Sequence, residues 1–336
     1  RSRPLFEHVV RAMVARDPRV SIRSGCRVRE LLADAQALAV TGVAYDDAGG
    51  AARRLDADLV VDASGRGALT LDLLAALGLP APEESAIAVD IRYTCAVFTL
   101  RPGRQRDWKV LMTRPDPRGT PRRAIMFPLE GGQDWLLGLG GVAGDSAPTD
   151  LAGFVAYARS LRTDTAHAAI GDAMLNGEIV RFAFPKNLRR LFERLASFPR
   201  GLLPMADAVC RINPSYGQGM SVAAQQAVLI DRLLGEGPAD AARLAGLAAA
   251  FFARIGEVLD DPWAIAAQDF GYAHLAPLRP PGFARRMQFL AALQRLAASD
   301  ADVHRLMLEV TQLKRPSSIY AEPGLAARIE REMHVT

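Results

Sequence analysis

The chain has 336 residues, half of them hydrophobic, and a formal net charge of +4, so it holds enough apolar sequence for one large core or two smaller ones and reads as globular. The basic side is almost all arginine, with Lys109, Lys186 and Lys314 the only lysines. Because the arginines are scattered and the charge is nearly balanced, a nucleic-acid partner is not expected.

Cys26, Cys95 and Cys210 lie far apart without Cys-x-x-Cys or histidine pairing, which argues against a disulfide framework or a zinc site and leaves a reducing cytoplasm as the default. No apolar run reaches the roughly 18 to 20 uncharged residues of a membrane span. The chain opens on Arg-Ser-Arg-Pro without an initiator Met or a signal peptide, and the expectation is of a sequence lacking residues upstream.

From Pro4 to Arg16, Leu5, Val9, Val10, Met13 and Val14 recur at helical spacing, with Pro4 in the first turn, where its missing N–H costs nothing. Asp17-Pro18 ends that helix. Short strands are expected at Val20–Arg23, Arg27–Leu32, Ala37–Tyr45 and Ala51–Leu55, the last two joined by an acidic glycine turn. Leu59 to Val61 then forms a short apolar strand that ends in Asp62-Ala63-Ser64-Gly65 before a Leu- and Ala-rich helix over 68–78. In doubly wound sheets ligands sit at the carboxyl ends of strands, so this turn is a candidate contact, although a buried parallel strand with an ordinary turn has the same pattern.

Gly78 to Pro82 reads as a linker. Strand-like stretches at Ile87–Leu100, Trp108–Thr113, Arg123–Leu129 and Asp134–Gly140 fit an antiparallel sheet, followed by helices over 150–161 and 164–174 and a strand near Glu178–Phe184. Tyr93, Phe98, Trp108, Phe127 and Trp135 lie in or beside this sheet. They either line an apolar pocket or simply pack. Beyond residue 236 the chain reads as helical, over Ala239–Leu259, Pro262–Gly271, Pro281–Ala298, Ala301–Lys314 and Pro323–Met333. His8, His167, His274, His304 and His334 show no metal-ligand spacing.

The most informative stretch is Pro199 to Gly235: a strand, an acidic turn at Asp207, the loop Pro214-Ser215-Tyr216-Gly217-Gln218-Gly219-Met220, and a helix. It places a hydroxyl-binding carboxylate beside backbone N–H groups at a helix start, a geometry suited to a polyol and an electron-rich ring edge. A Gly-x-Gly at a helix start, taken alone, requires only permissive glycines.

In order and spacing, Arg3 to Glu7, Asp58 to Arg66 and Ala206 to Met220 resemble single-component FAD-dependent monooxygenases of the hydroxybenzoate hydroxylase fold, nearest in look to polyether and squalene epoxidase-like flavoproteins. The resemblance implies an α/β chain, α+β overall. An FAD/NAD(P)-binding Rossmann-like domain, incomplete at the N-terminus, spans 1–80 and 199–260, an antiparallel-sheet substrate domain spans 81–198, and a helical region spans 261–336. It further implies cofactor contacts at Arg3, Asp62, Ser64, Gly65, Asp207, Pro214, Gly217, Gln218, Gly219 and Met220, and a substrate pocket near Tyr93, Phe127, Trp135 and Tyr216. No catalytic side chain is implied. In that family reduced flavin takes up dioxygen and a flavin hydroperoxide delivers one oxygen to an apolar, aromatic or polyene substrate, with NAD(P)H as electron donor.

Four features depart from the pattern. No Gly-x-Gly-x-x-Gly loop precedes Arg3, Ala206 replaces a glycine, Ser64 replaces a second acid, and Gln226 replaces an aspartate. The alternatives are a prenyl reductase of the geranylgeranyl type, which shares the Phe127-Pro128 and Gly138–Gly141 pattern, and a truncated ligand-binding fragment without catalysis. The Trp-x-Trp-x-Ile-Pro stretch of flavin halogenases is not in the sequence.

Overall fold

The computed structural model describes residues 2–65, 67–101, 108–113, 115, 120–237 and 240–334. In chain order, α1 (Arg3–Val14) leads into β1 (Arg27–Asp34), β2 (Ala39–Asp46), β3 (Ala52–Asp56) and β4 (Val60–Asp62), then α2 (Ala68–Ala76) and β5 (Glu84–Ile87). Next come β6 (Ile91–Thr99), β7 (Leu111–Thr113), β8 (Arg123–Pro128), β9 (Asp134–Val142), α3 (Leu151–Arg159), α4 (Thr165–Ile170) and β10 (Met174–Phe184). The rest is β11 (Asn187–Arg190), β12 (Leu202–Pro204), β13 (Cys210–Arg211), α5 (Gly219–Gly235), α6 (Ala241–Arg254), α7 (Gly256–Ala266), α8 (Phe283–Ser299), α9 (Ala301–Thr311) and α10 (Pro323–Met333).

The chain divides into two compact units: residues 1–24, 88–186 and 270–277 form one, and residues 25–87, 187–269 and 278–336 form the other. Their bounds differ from the three expected segments. The first helix clusters with the sheet, and the C-terminal helices cluster with the residues around β4 and β12.

The first unit is built on an antiparallel sheet in the order β10-β6-β9-β8-β7. Alternation along its strands sends Phe98, Met126, Trp135, Leu137 and Leu139 to one face, where they form a core with Phe154 and Tyr157 of α3. Gly141 permits that approach: a Cβ there would lie 2.6 Å from the Tyr157 hydroxyl oxygen. The other face carries Ile91 and Tyr93, clustered with Val89, Val142, Phe184 and Tyr272. Helix α1 starts where the Ser2 side chain accepts the N–H of Leu5 at 3.2 Å, and none of its residues is buried.

In the second unit β1, β2 and β3 form an antiparallel sheet, β13-β11-β5 form another, and β12 pairs with β4 in parallel. Leu203, Val209, Val222, Leu229, Phe251 and Phe252 make its core, and α8, α9 and α10 close over a smaller cluster around Leu293 and Ile329.

Three expectations on elements are corrected. Val20–Arg23 is not a strand, having no ladder partner to satisfy its backbone. The helix expected over 239–259 breaks between Arg254 and Gly256, and Pro262, expected to open a helix, lies inside α7. Strand β11 was not foreseen, because Asn-Leu-Arg-Arg has no apolar alternation and is held by polar partners instead.

Candidate functional site

The parallel pair sets the site. Val60, Val61 and Asp62 face Leu202, Leu203 and Pro204 in register, and the Met205 N–H extends the pairing by donating to the Asp62 carbonyl at 3.0 Å. Two turns therefore leave the carboxyl ends of β4 and β12 side by side, the place where open α/β sheets bind ligands.

In the first turn the Asp62 carboxylate is only 4 % exposed and is used internally. One oxygen accepts the Ser64 N–H at 3.0 Å, and the other accepts the Thr70 hydroxyl at 2.6 Å and its N–H at 3.3 Å. Burial pushes this carboxyl up, but the hydrogen bonds from Ser64 and Thr70 outweigh it and the group titrates below its ordinary 3.8. Ser64 is exposed, and Gly65 turns the chain at φ +80°. A Cβ on Gly65 would lie 3.9 Å from that of Asp207, so the two turns are neighbours.

In the second turn Ala206 takes φ +54°, a conformation that favours glycine, and leaves Asp207 exposed at the tip. Two buried side chains hold it there. Gln226 of α5, wholly buried, accepts the Ala206 N–H at 2.7 Å, and Arg190 donates to the Ala208 carbonyl at 2.7 Å. The Nε2 of Gln226 has no partner among the described residues.

The third segment is the loop before α5. Asn213 accepts the Ser215 N–H at 3.0 Å, which starts a short 3-10 turn (Pro214–Tyr216) ended by Gly217 at φ +67°. Pro214, Gly217, Gly219 and Met220 are exposed, and nothing lies within 4 Å of where a Cβ of Gly217 or Gly219 would stand. Val222 is the first residue here whose N–H bonds the turn before it, to Gln218 O at 2.9 Å, so the N–H groups of residues 219–221 precede the ladder. Gln218, 3 % exposed, is turned inward: its Nε2 donates to Thr311 O at 2.8 Å, while its Oε1 is buried without a partner among the described residues.

Of the residues singled out in the sequence, Asp62, Ser64, Gly65 and Asp207 thus come together, and Gln226 ties the Asp207 turn to the helix behind the 214–220 loop. Arg3 is exposed in the first turn of α1 and belongs to the other unit. The expected aromatic grouping divides. Tyr93 and Phe127 share one face of the sheet by register, whereas Trp135 lies on the opposite face, 7 % exposed and edge-on to Trp108 at 5.0 Å. Tyr216 donates its hydroxyl to Asp269 at 2.8 Å. Sequence reasoning missed Thr70, Asn187, Arg190, Asn213 and Asp269. Asn213 carried a signal, since Asn-Pro is a turn-starting pair, but the others lie far from any motif.

An FAD group can be tested against these residues. An exposed carboxylate beside a positive-φ glycine, two glycines open to approach and the free start of a 17-residue helix fit the ring and polyol end. For the adenylate end, no Gly-x-Gly-x-x-Gly loop occurs in the 336 residues. Among the described residues no group of three His, Cys, Asp or Glu could hold a metal, and no helix is long and apolar enough to cross a membrane.

The fold is that of FAD-binding flavoprotein monooxygenases. The flavoprotein/dehydrogenase from Cytophaga hutchinsonii superposes with TM-score 0.66 at 13% identity, covering 98% of this chain and 74% of that one. The myxobacterial FAD-dependent chondrochloren halogenase CndH superposes with TM-score 0.59 at 15% identity, covering 98% of this chain and 72% of that one. In sequence the chain is similar to protein Rv3254 of Mycobacterium tuberculosis, 31% identical over 242 residues, which is 69% of this chain and 49% of that protein. The chain thus spans about half the length of the curated relative it matches. No family model matches it.

Proposed function

We propose that this chain carries the ring and ribityl end of an FAD site and serves an FAD-dependent oxidoreductase, a monooxygenase acting with dioxygen and NAD(P)H on an apolar, aromatic or polyene small molecule. The observation that carries the reading is the meeting of the exposed Asp207 turn with Gly65 at the carboxyl ends of two parallel strands, with Gln226 tying that turn to α5, the helix that the open Gly217–Gly219 loop begins. The fold and the order of the motifs support it.

Bound there, FAD would supply two-electron redox chemistry and the activation of dioxygen. Asp207 would accept hydrogen bonds from the polyol hydroxyls. The backbone N–H groups at the start of α5, with the helix dipole, would favour negative charge on the ring edge. Asp62 and Gln226 would hold the two turns without touching the cofactor. Gln218, its side chain turned inward, would contribute through its backbone.

The test begins with binding. The chain, titrated with FAD, FMN and riboflavin, is expected to quench flavin fluorescence, and Asp207→Ala should weaken binding about tenfold, the loss of one or two charge-assisted hydrogen bonds. Labelled dioxygen should then enter the product during NAD(P)H consumption. No flavin binding by any of the three ligands, or saturation of an alkene without oxygen uptake, would reject the monooxygenase.

A further inference from the structure

The loop Asn213–Gly219 carries residues that would meet the flavin, yet its conformation is set from outside. Asp269, three residues beyond the end of α7 and 2 % exposed, accepts hydrogen bonds from Asn187 Nδ2 at 2.9 Å and Asn213 Nδ2 at 3.1 Å on one oxygen. Its other oxygen accepts the Tyr216 hydroxyl at 2.8 Å. Asn187 in turn accepts the Asn213 N–H at 2.6 Å. The turn Pro214–Tyr216 is thereby tied to one carboxylate at both ends, in front through Asn213 and behind through Tyr216.

The residue type matters. A carboxylate accepts at both oxygens, so it can receive amide donors on one side and a phenol on the other, whereas an amide offers a single acceptor. The segment leading to Asp269 is packed into the core, with Ala266 wholly buried in the cluster that holds Leu259 and Phe251. The carboxylate is thus carried by a core-packed segment and joins the two ends of the loop.

We infer that Asp269 is the positioning residue of the flavin loop: through Asn213 and Tyr216 it holds the Pro214–Gly219 backbone in the form that presents open glycines and helix N–H groups to the ring. The assignment of a ligand rests on the proposed function, but the clamp itself does not, and the two can fail separately.

The experiment measures amide hydrogen exchange over residues 213–222 in the full chain for the wild type, Asp269→Asn, Asp269→Leu and Tyr216→Phe, with FMN and FAD affinity and the bound-flavin visible spectrum measured in parallel. Asp269→Leu is expected to lower protection of the loop about tenfold or more while strands β6 and β9 keep theirs. Asp269→Asn, which keeps one acceptor, should retain part of the protection, and Tyr216→Phe should loosen only the Tyr216–Gly219 end. The flavin spectrum and affinity should follow the same order. Wild-type loop protection in Asp269→Leu overturns the inference, and so does a loss spread evenly over the chain or an Asp269→Asn no better than the leucine variant. If protection follows the predicted order but no variant, wild type included, binds flavin, the clamp stands and the proposed function falls.

Discussion

Ala206 stands at φ +54° with its N–H bonded to Gln226 at 2.7 Å, so strain and its restraint meet in one residue. A Cβ in the left-handed region costs about 1–2 kcal/mol, and removing it costs about 0.4–1 kcal/mol in unfolded-chain entropy. Ala206→Gly is therefore expected to raise the denaturation midpoint, by a net gain of about 0.5–1 kcal/mol. Gln226→Leu should lower it by about 1 kcal/mol, because the Ala206 N–H loses its acceptor. At Asp62 the folded carboxyl titrates below 3.8, so its contribution is complete above that value and fades as pH falls through the lower folded one. Thr70→Val removes a bond to the ionised form. Its destabilisation should be full at pH 7 and shrink as pH drops below about 4, in denaturant titrations of both proteins.

Between the short turn and α5, the two glycines of the loop differ in what they require. Gly217 needs its freedom for the fold, at φ +67°, and Gly217→Ala should cost about 1 kcal/mol. Gly219 is the first residue of a helix with no neighbour within 4 Å of a Cβ, so Gly219→Ala should leave stability unchanged or slightly higher. If the ring edge approaches this backbone, the same substitution weakens flavin binding about tenfold, and a titration of the two variants separates the roles. Most elements here were legible because α5 combines a glycine start with a long apolar period, and β12 is a short apolar run before an acidic turn. Strand β11 was not, since Arg190 and Asn187 are buried for their hydrogen bonds and leave no pattern.

Over the whole chain, burial separates the three thiols. Burial pushes Cys210 up to about 12 and Cys95 up to about 11, although Cys95 is part-exposed like Cys26. A thiol reagent at pH 8 is expected to label Cys26 first in the native protein, Cys95 more slowly and Cys210 only on unfolding; fast labelling of Cys210 would contradict the buried position it holds beside the Asp207 turn. The division into units groups α1 with residues 88–186, and its apolar residues Phe6, Val9, Val10, Met13 and Val14 are exposed despite a regular helical period. Period predicts a helix, but it does not name what covers the apolar side.

By itself the sequence determined the order of the chemistry: an acidic turn after one short apolar strand, a polar glycine turn after another, and a glycine loop opening a long helix. Those signals are local, arising from backbone freedom, strand alternation and helix starts, and they survive without any knowledge of packing. Only the tertiary structure decided which polar groups face outward and which hold the others. It turned Asp62 and Gln218 inward, left Asp207 exposed, put Trp135 on the face away from Tyr93, and brought Asn187 and Asp269 to the loop from 26 and 56 residues away. Partners so distant in the chain meet only through packing, and no window of sequence contains them.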